Sequence, residues 1–374
     1  MKKILHLTHT DIASDSRVLK EMGALVAAGY KVNGVGVALN EGAHQSSVQF
    51  ESQIKSIKTI SRKLLFLPRT LRHIASLIEL VFKMLPYAIW QRPNVVHCHD
   101  TLVLPLGVVV KLLTGAKLVY DAHELESDRN GLSRMQGALT FGVEKLLWRF
   151  VDALIVVSPS IESWYRERFG PKPTAVILNS PLISQAGTHN QDYLREVFSI
   201  PKQHKIFIYV GILARGRGID LLTEAFSAPD VSSHIVFMGY GDLGSELKHK
   251  AAEYPNIHVH AAVPHAQVVS IVQSADFGLC LVQNVSLSDY YCLPNKLFEY
   301  CFAGIPVLAS DFPDISAVIS EYGIGQCCKL DVDSIRGAIR ALESSKVSFR
   351  FSDLYPLSWQ AQEHKLLTLY QQAL

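Results

Sequence analysis

The chain has 374 residues, 48% of them hydrophobic and 19% charged, a composition that suits about two soluble globular domains. Lys and Arg number 36 against 34 Asp and Glu, a net charge of +2, so no basic field argues for nucleic acid as a partner. Six cysteines without a two-residue-spaced pair read as free thiols of a reduced compartment.

The opening "MKKILHLTHT" is interrupted by His6 and His9 and is too short for a signal-peptide core. No stretch approaches the roughly 20 apolar residues of a spanning helix, so the expected location is cytoplasmic or peripheral on the cytoplasmic face of a membrane. Along the first half, β-branched runs read as strands at "KILHLTH", "KVNGVGV", "VVHCHD", "KLVYDAH", "ALIVVS" and "TAVILN", with helices between them. The stretch "DSRVLKEMGALVAAGY" places Val18, Met22, Leu25 and Val26 on one helical face and ends at Gly29.

From Lys55 to Arg92 there are eight Lys and Arg against one acid, Glu79, around "LLFLP" and "IASLIELVFKMLPYAIW". A basic, apolar helix pair of this kind fits either an anionic membrane surface or an ordinary core-packed helix with a solvated basic face. The polar stretch "SPLISQAGTHNQDY" marks a boundary. Domains are expected at 1–182 and 183–350, with 351–374 as a terminal helical segment. The second half repeats the alternation at "KIFIYVG", "HIVFMG", "IHVHAAV", "FGLCLV", "PVLAS" and "GIGQCC". The fold class is therefore α/β, two Rossmann-like doubly wound parallel sheets whose strand ends face a shared cleft.

Chemistry concentrates at those strand ends. "HCHD" puts His97 and His99 on one side of a strand, where a metal competes with a structural or substrate contact, and the latter is favoured. "YDAHE" delivers Asp121, His123 and Glu124 to the same edge. In the second half "YVGILARGRGID" is a strand, a loop with Gly211, Gly216 and Gly218, and a helix start, with Arg215 and Arg217 available to phosphate. "YCLPNKLFEY" opens another helix with Lys296 in its first turn, where a cation opposes the helix dipole unless an anion binds there. Together these form a candidate diphosphate site. Glu299 follows on the same face, suited to ribose hydroxyls. "MGYGD" adds Gly239 at a further strand end, and "DVD" at 331–333 reads as a helix cap.

With these motifs in place, the chain resembles glycosyltransferases of the GT-B fold, in the retaining glycosyltransferase family 4. The resemblance runs from "DSRVLKEMGALVAAGY" through "PNVVHCHD" and "LVYDAHELE" to "LPNKLFEYCFAGIPVLASD". It implies a nucleotide-sugar donor on the C-terminal domain, an acceptor on the N-terminal domain, no metal or other cofactor, and a terminal helix that returns to the N-terminal domain. It assigns Arg217 and Lys296 to the donor diphosphate, Glu299 to the ribose, and His123 to the donor sugar and transferred bond. "HAAVP" is similar to the base-reading segment and brings Val263; Gly239 and Leu297 complete the expected donor contacts.

The catalytic set is then His123, Arg217 and Lys296, with the diphosphate oxygen taking the acceptor proton. UDP-sugars are the first expected donors and GDP-sugars the next. The expected acceptor is a glycan or lipid-linked glycan of bacterial surface polysaccharide, with membrane contact through 55–92. The chain departs from the pattern of two glutamates with seven residues between them: Tyr291 stands where the first should be, "CLPN" replaces a Gly-rich turn, and Ile212 replaces an arginine. Asp289 would reach the vacated place only if its loop shifts. The rival readings are a non-catalytic nucleotide-sugar-binding subunit and a nucleotide-sugar epimerase of the same fold.

Overall fold

The computed structural model describes residues 1–38, 54–61, 69–182, 190–344 and 347–373. It divides into two compact units, one of residues Met1–Ile177 with Glu363–Leu374, the other Leu178–Gln362. Each is a parallel sheet covered by helices.

The first sheet contains β1 (Lys3–Leu7), β2 (Lys31–Val37), β3 (Ile54–Ile57), β4 (Val95–His99), β5 (Lys117–Ala122), β6 (Ala153–Val156) and β7 (Thr174–Val176), in the order β3-β2-β1-β4-β5-β6-β7. Its helices are α1 (Ser16–Ala27), α2 (Arg69–Gln91), α3 (Leu104–Thr114), α4 (Arg134–Leu147) and α5 (Pro159–Phe169). β4 and β6 are buried along their whole length, as strands covered on both faces must be. Among the described residues of the basic segment, Ile54–Ile57 pairs with β2 as an edge strand and α2 is helical. Four residues with Ser56 and Lys55 exposed carried too little pattern to be read as a strand, and "LLFLP" lies outside the described residues.

Asp15 starts α1 by accepting from the Arg17 and Val18 amides, and Val18, Met22 and Leu25 are buried as the periodicity requires. Gly29, at φ 87°, ends it. Arg17 and Glu21 share that buried face, which apolar spacing alone does not anticipate.

The second unit begins with α6 (Tyr193–Phe198). Its sheet has β8 (Ile206–Val210), β9 (His234–Gly239), β10 (Ile257–Ala261), β11 (Phe277–Cys280), β12 (Val307–Ser310) and β13 (Gly325–Cys328), in the order β10-β9-β8-β11-β12-β13. The helices are α7 (Ile219–Phe226), α8 (Gly244–Glu253), α9 (His265–Val272), α10 (Leu287–Tyr290), α11 (Asn295–Ala303), α12 (Pro313–Tyr322) and α13 (Val332–Ser344), and α14 (Trp359–Ala373) follows them. Phe207 packs on Phe226 and Phe277 in the core. From Glu363 onward α14 belongs to the first unit, where Tyr370 is buried. No helix among the described residues is long and apolar enough to cross a membrane.

Both sheets reverse their winding between two central strands, β1 and β4 in one, β8 and β11 in the other. A crevice opens beyond the carboxyl ends of such strands, and both sets of candidate residues lie there.

Candidate active site

In the second unit, β8 runs into the loop 211–218 and β11 into 281–294. The loops are tied together by the Gln283 amide, which donates to the Gly216 carbonyl (3.0 Å). Backbone crowding explains the glycines. A Cβ on Gly239 would lie 1.8 Å from the Gly211 carbonyl oxygen, and one on Gly218 would lie 2.4 Å from that of Leu281. Gly239 is thus required by the packing of two strand ends, whatever else it meets.

Lys296 reaches this place because α11 is anchored by Tyr300. The buried Tyr300 hydroxyl donates to the Leu279 carbonyl (3.1 Å) and accepts from the Val210 amide (2.9 Å), bridging the ends of β11 and β8. Its ring lies against Gly278, where a Cβ would meet ring carbons at 2.3 Å. Lys296 Nζ sits 3.8 Å above the centroid of the Tyr209 ring, beside Gly211. No carboxylate ion pair forms with it among the described residues. Arg217 is partly exposed, with Nη1 3.6 Å from Asp289 Oδ1, whereas Arg215 points to solvent.

Burial pushes the Cys280 thiol up to about 11, against the opposing pull of Lys296 and Arg217, so both cations converge on the end of β11. The starts of α7 and α11 have no side-chain cap, and the positive ends of their dipoles add positive potential.

Glu299 is buried one turn along α11 from Lys296. Leu297 is fully buried and its amide donates to the Pro294 carbonyl (3.0 Å), so it brings no side chain to the surface. Val263 is half-buried just after β10. α10, capped by Ser286, holds Asp289 beside Arg217. Asp331 accepts from the Ser334 amide (2.8 Å) at the start of α13, as a cap does.

The first unit gathers a larger cluster. Register aligns His6 with His97 and His99 with Asp121, and the rings of His6, His97 and His99 stack at 4.4–5.2 Å between centroids. Arg17 donates to both oxygens of Asp121 (2.9 and 3.3 Å) and to the Ile177 carbonyl (2.9 Å). His97 Nδ1 meets the Tyr370 hydroxyl at 2.7 Å. His123 Nε2 lies 3.1 Å from Asp121 Oδ2 and 3.0 Å from His99 Nδ1, and its Nδ1 lies 3.8 Å from Asp100. Glu124 is exposed, outside the cluster.

Burial alone would lower His123, but Asp100 and Asp121 raise it to about 10, so it is a cation at neutral pH. Burial and the neighbouring His99 hold His97 down at about 3. Burial would raise Asp121, but Arg17 and His123 hold it well below the usual carboxylate range. Burial and the nearby Asp121 charge push Glu21 up to about 8. The cluster's charges therefore pair internally: Arg17 with Asp121, His123 with Asp100, and Glu21 kept neutral. Ligand atoms of His6, Glu21, His97 and His99 lie within 4.8 Å of one another, as do those of His99, Asp121 and His123, so the donor set would reach a metal ion.

Sequence reasoning found His97, His99, Asp121 and His123 and missed Arg17, Glu21, His6, Tyr370 and Asp100. Charged residues at i and i+4 on an apolar helix face were the available signal for Arg17 and Glu21. Asp100 had none. Its backbone, at φ 66° and ψ 163°, occupies a region almost reserved for glycine, at a cost of about 1–3 kcal/mol. Its Oδ1, buried and without a hydrogen-bond partner, points toward His123.

Residues 15–180 match the glycosyl transferase 4-like domain, and residues 190–351 match the glycosyl transferases group 1 domain. A putative teichuronic acid biosynthesis glycosyltransferase, TuaC of Bacillus subtilis, is 23% identical over 62% of this chain; the match spans only 56% of its own length. A chitobiosyldiphosphodolichol beta-mannosyltransferase of Kluyveromyces lactis is 20% identical over 85% of this chain and 77% of its own. Among solved structures, sucrose-phosphate synthase of Thermosynechococcus elongatus superposes with a TM-score of 0.79 at 16% identity, over 100% of this chain and 99% of that one. HepE of Anabaena, solved with UDP-glucose, gives 0.74 at 14%, over 99% and 100%. The chain belongs to the group 1 glycosyltransferases of the GT-B fold.

Proposed function

We propose that the protein transfers a sugar from a nucleotide diphosphate sugar, a UDP-sugar first and a GDP-sugar next, to a glycan or lipid-linked acceptor, with retention and without a metal. The observation that carries this is the pair Arg217 and Lys296. They lie at the ends of the two central strands of the second sheet, beside two uncapped helix starts, with a single carboxylate at 3.6 Å from one of them. Such an arrangement stabilises negative charge that grows on a departing diphosphate.

In the proposed reaction the bond from the anomeric carbon to the diphosphate oxygen breaks and the acceptor oxygen bonds to that carbon on the same face. The acceptor proton passes to the diphosphate oxygen. Arg217 and Lys296 hold the diphosphate, Glu299 accepts from the ribose hydroxyls, Val263, Gly239 and Leu297 border the base and sugar through backbone, and His123 orients the sugar. The complex of HepE with UDP-glucose favours UDP, and the role of TuaC in teichuronic acid biosynthesis favours surface polysaccharide as the setting. Contact with a membrane through 55–92 belongs to the same reading.

Purified protein incubated with labelled UDP- and GDP-sugars and lipid-linked or oligosaccharide acceptors tests it. Transfer that survives chelator, with the donor's anomeric configuration kept in the product, is expected. Epimerisation without acceptor, or binding without turnover, would replace this reading by one of its rivals.

A further inference from the structure

Several cations of this protein are anchored by carboxylates: Lys83 by Glu79, Lys111 by Asp152, Arg195 by Asp276 and Arg217 by Asp289. Lys296 is anchored by a ring. Its Nζ lies 3.8 Å from the centroid of Tyr209, the shortest such approach among the described residues, where the others run from 4.1 to 5.9 Å. Lys296 is half-buried in the first turn of α11, where the positive end of the helix dipole repels its ammonium and the negative face of the ring attracts it.

Both partners are held in place. Tyr209, next to last in β8, is fully buried against Phe237 (5.9 Å between centroids), and its hydroxyl donates to the Ile212 carbonyl (2.9 Å) in the loop that leads to Arg217. α11 is fixed to the same strand end, because the Tyr300 hydroxyl, one turn beyond Lys296, accepts from the amide of Val210, the neighbour of Tyr209 (2.9 Å). Strand and helix therefore set the separation of ring and ammonium. For an anion, a ring and a carboxylate are different anchors. A carboxylate cancels the charge that it holds, whereas a ring face attracts a cation through its quadrupole and leaves the full unit of charge in place. A lysine ordered in advance also loses less rotamer freedom when a ligand binds, which contributes roughly two- to tenfold in affinity.

We propose that Tyr209 is a positioning residue of the donor site: its ring holds the Lys296 ammonium, uncancelled, where the diphosphate of a nucleotide sugar binds, so that the lysine is ordered before the donor arrives. This rests on the reading of a nucleotide-diphosphate donor and adds to it a residue that acts through Lys296.

In the full chain Tyr209 is replaced by phenylalanine, and by phenylalanines bearing one, two and three ring fluorines, which keep the shape of the side chain and withdraw electrons from its face. Binding of UDP, inorganic pyrophosphate and uridine is measured by calorimetry, with the melting temperature of each variant as the check on folding. Affinity for UDP and pyrophosphate should fall stepwise with fluorine number, by about tenfold across the series, whereas uridine, which lacks the diphosphate, should not respond. In a Lys296→Met background the dependence on fluorine should vanish. Equal UDP affinity across the series, a parallel loss for uridine, or a dependence that persists without Lys296 overturns the proposal. So does a loss already complete in Tyr209→Phe, which would put the effect in the hydroxyl bond to Ile212 and not in the ring. Wild-type protein that binds neither UDP, GDP nor pyrophosphate would sink the donor reading itself, and this proposal with it; a flat series in protein that binds UDP sinks this proposal alone.

Discussion

The two units place their chemistry at the same point of the same sheet topology and treat charge in opposite ways. In the first, Arg17, Asp121, His123 and Asp100 neutralise one another out of water, and the fold depends on their staying paired. In the second, Lys296 rests on a tyrosine ring and Arg217 on one carboxylate at the edge of the crevice, leaving positive potential available. A closed ionic cluster is a structural part that fixes where a histidine stands. An open one is a site awaiting an anion.

That contrast predicts the largest effect at Arg17. Arg17→Met strands Asp121 without its partner and should cost about 3–5 kcal/mol, read as faster hydrogen exchange at β4 and β5 amides. Lys296→Ala should do the reverse. Turnover should fall about 10²–10³-fold, with little change in the melting temperature. A large loss of stability there would mean that Lys296 is structural and the contrast false.

Asp100→Gly relieves the backbone and should stabilise the first unit by up to about 1–3 kcal/mol in denaturant titration, while lowering turnover by leaving His123 without that carboxylate. Stability gained with turnover unaltered would make the strain incidental.

The smallest effect is in pH. Glu21 keeps its proton in the folded state up to about 8, whereas the unfolded chain releases it near 4.5, so stability falls as pH rises between those values. His123, raised from 6.5 to about 10, contributes stability that is complete below 6.5 and lost as pH rises toward 10. Asp121, held low, works at the other end, where its stabilisation is lost as pH falls below its unfolded value of 3.8. From these three groups the first unit should therefore be most stable between about pH 3.8 and 4.5 and decline above that range. Glu21→Gln should flatten the decline and stabilise it by about 1–2 kcal/mol at pH 8. A pH profile unaltered by that change would show that Glu21 is not held neutral.

Much of this was legible in the sequence, for unequal reasons. Strands such as "KVNGVGV" and "HIVFMG" declare themselves because a strand buried on both faces must be apolar along its run. Lys296 declared itself by standing where a helix dipole disfavours it. The edge strand Ile54–Ile57 did not, since an edge needs little burial and leaves little pattern. Asp289 beside Arg217 was invisible for another reason: the short helix α10 sets that approach, and four residues carry no period.

By itself the sequence determined two doubly wound α/β halves, the strand ends that bear the chemistry, and the cations and glycines of the second site, because each is a local requirement of burial, backbone or dipole. Only the tertiary structure decided that Arg17 and Glu21 from α1, His6 from β1 and Tyr370 from α14 close around Asp121 and His97. That depends on residues far apart in the chain meeting across a sheet, and no local period encodes it.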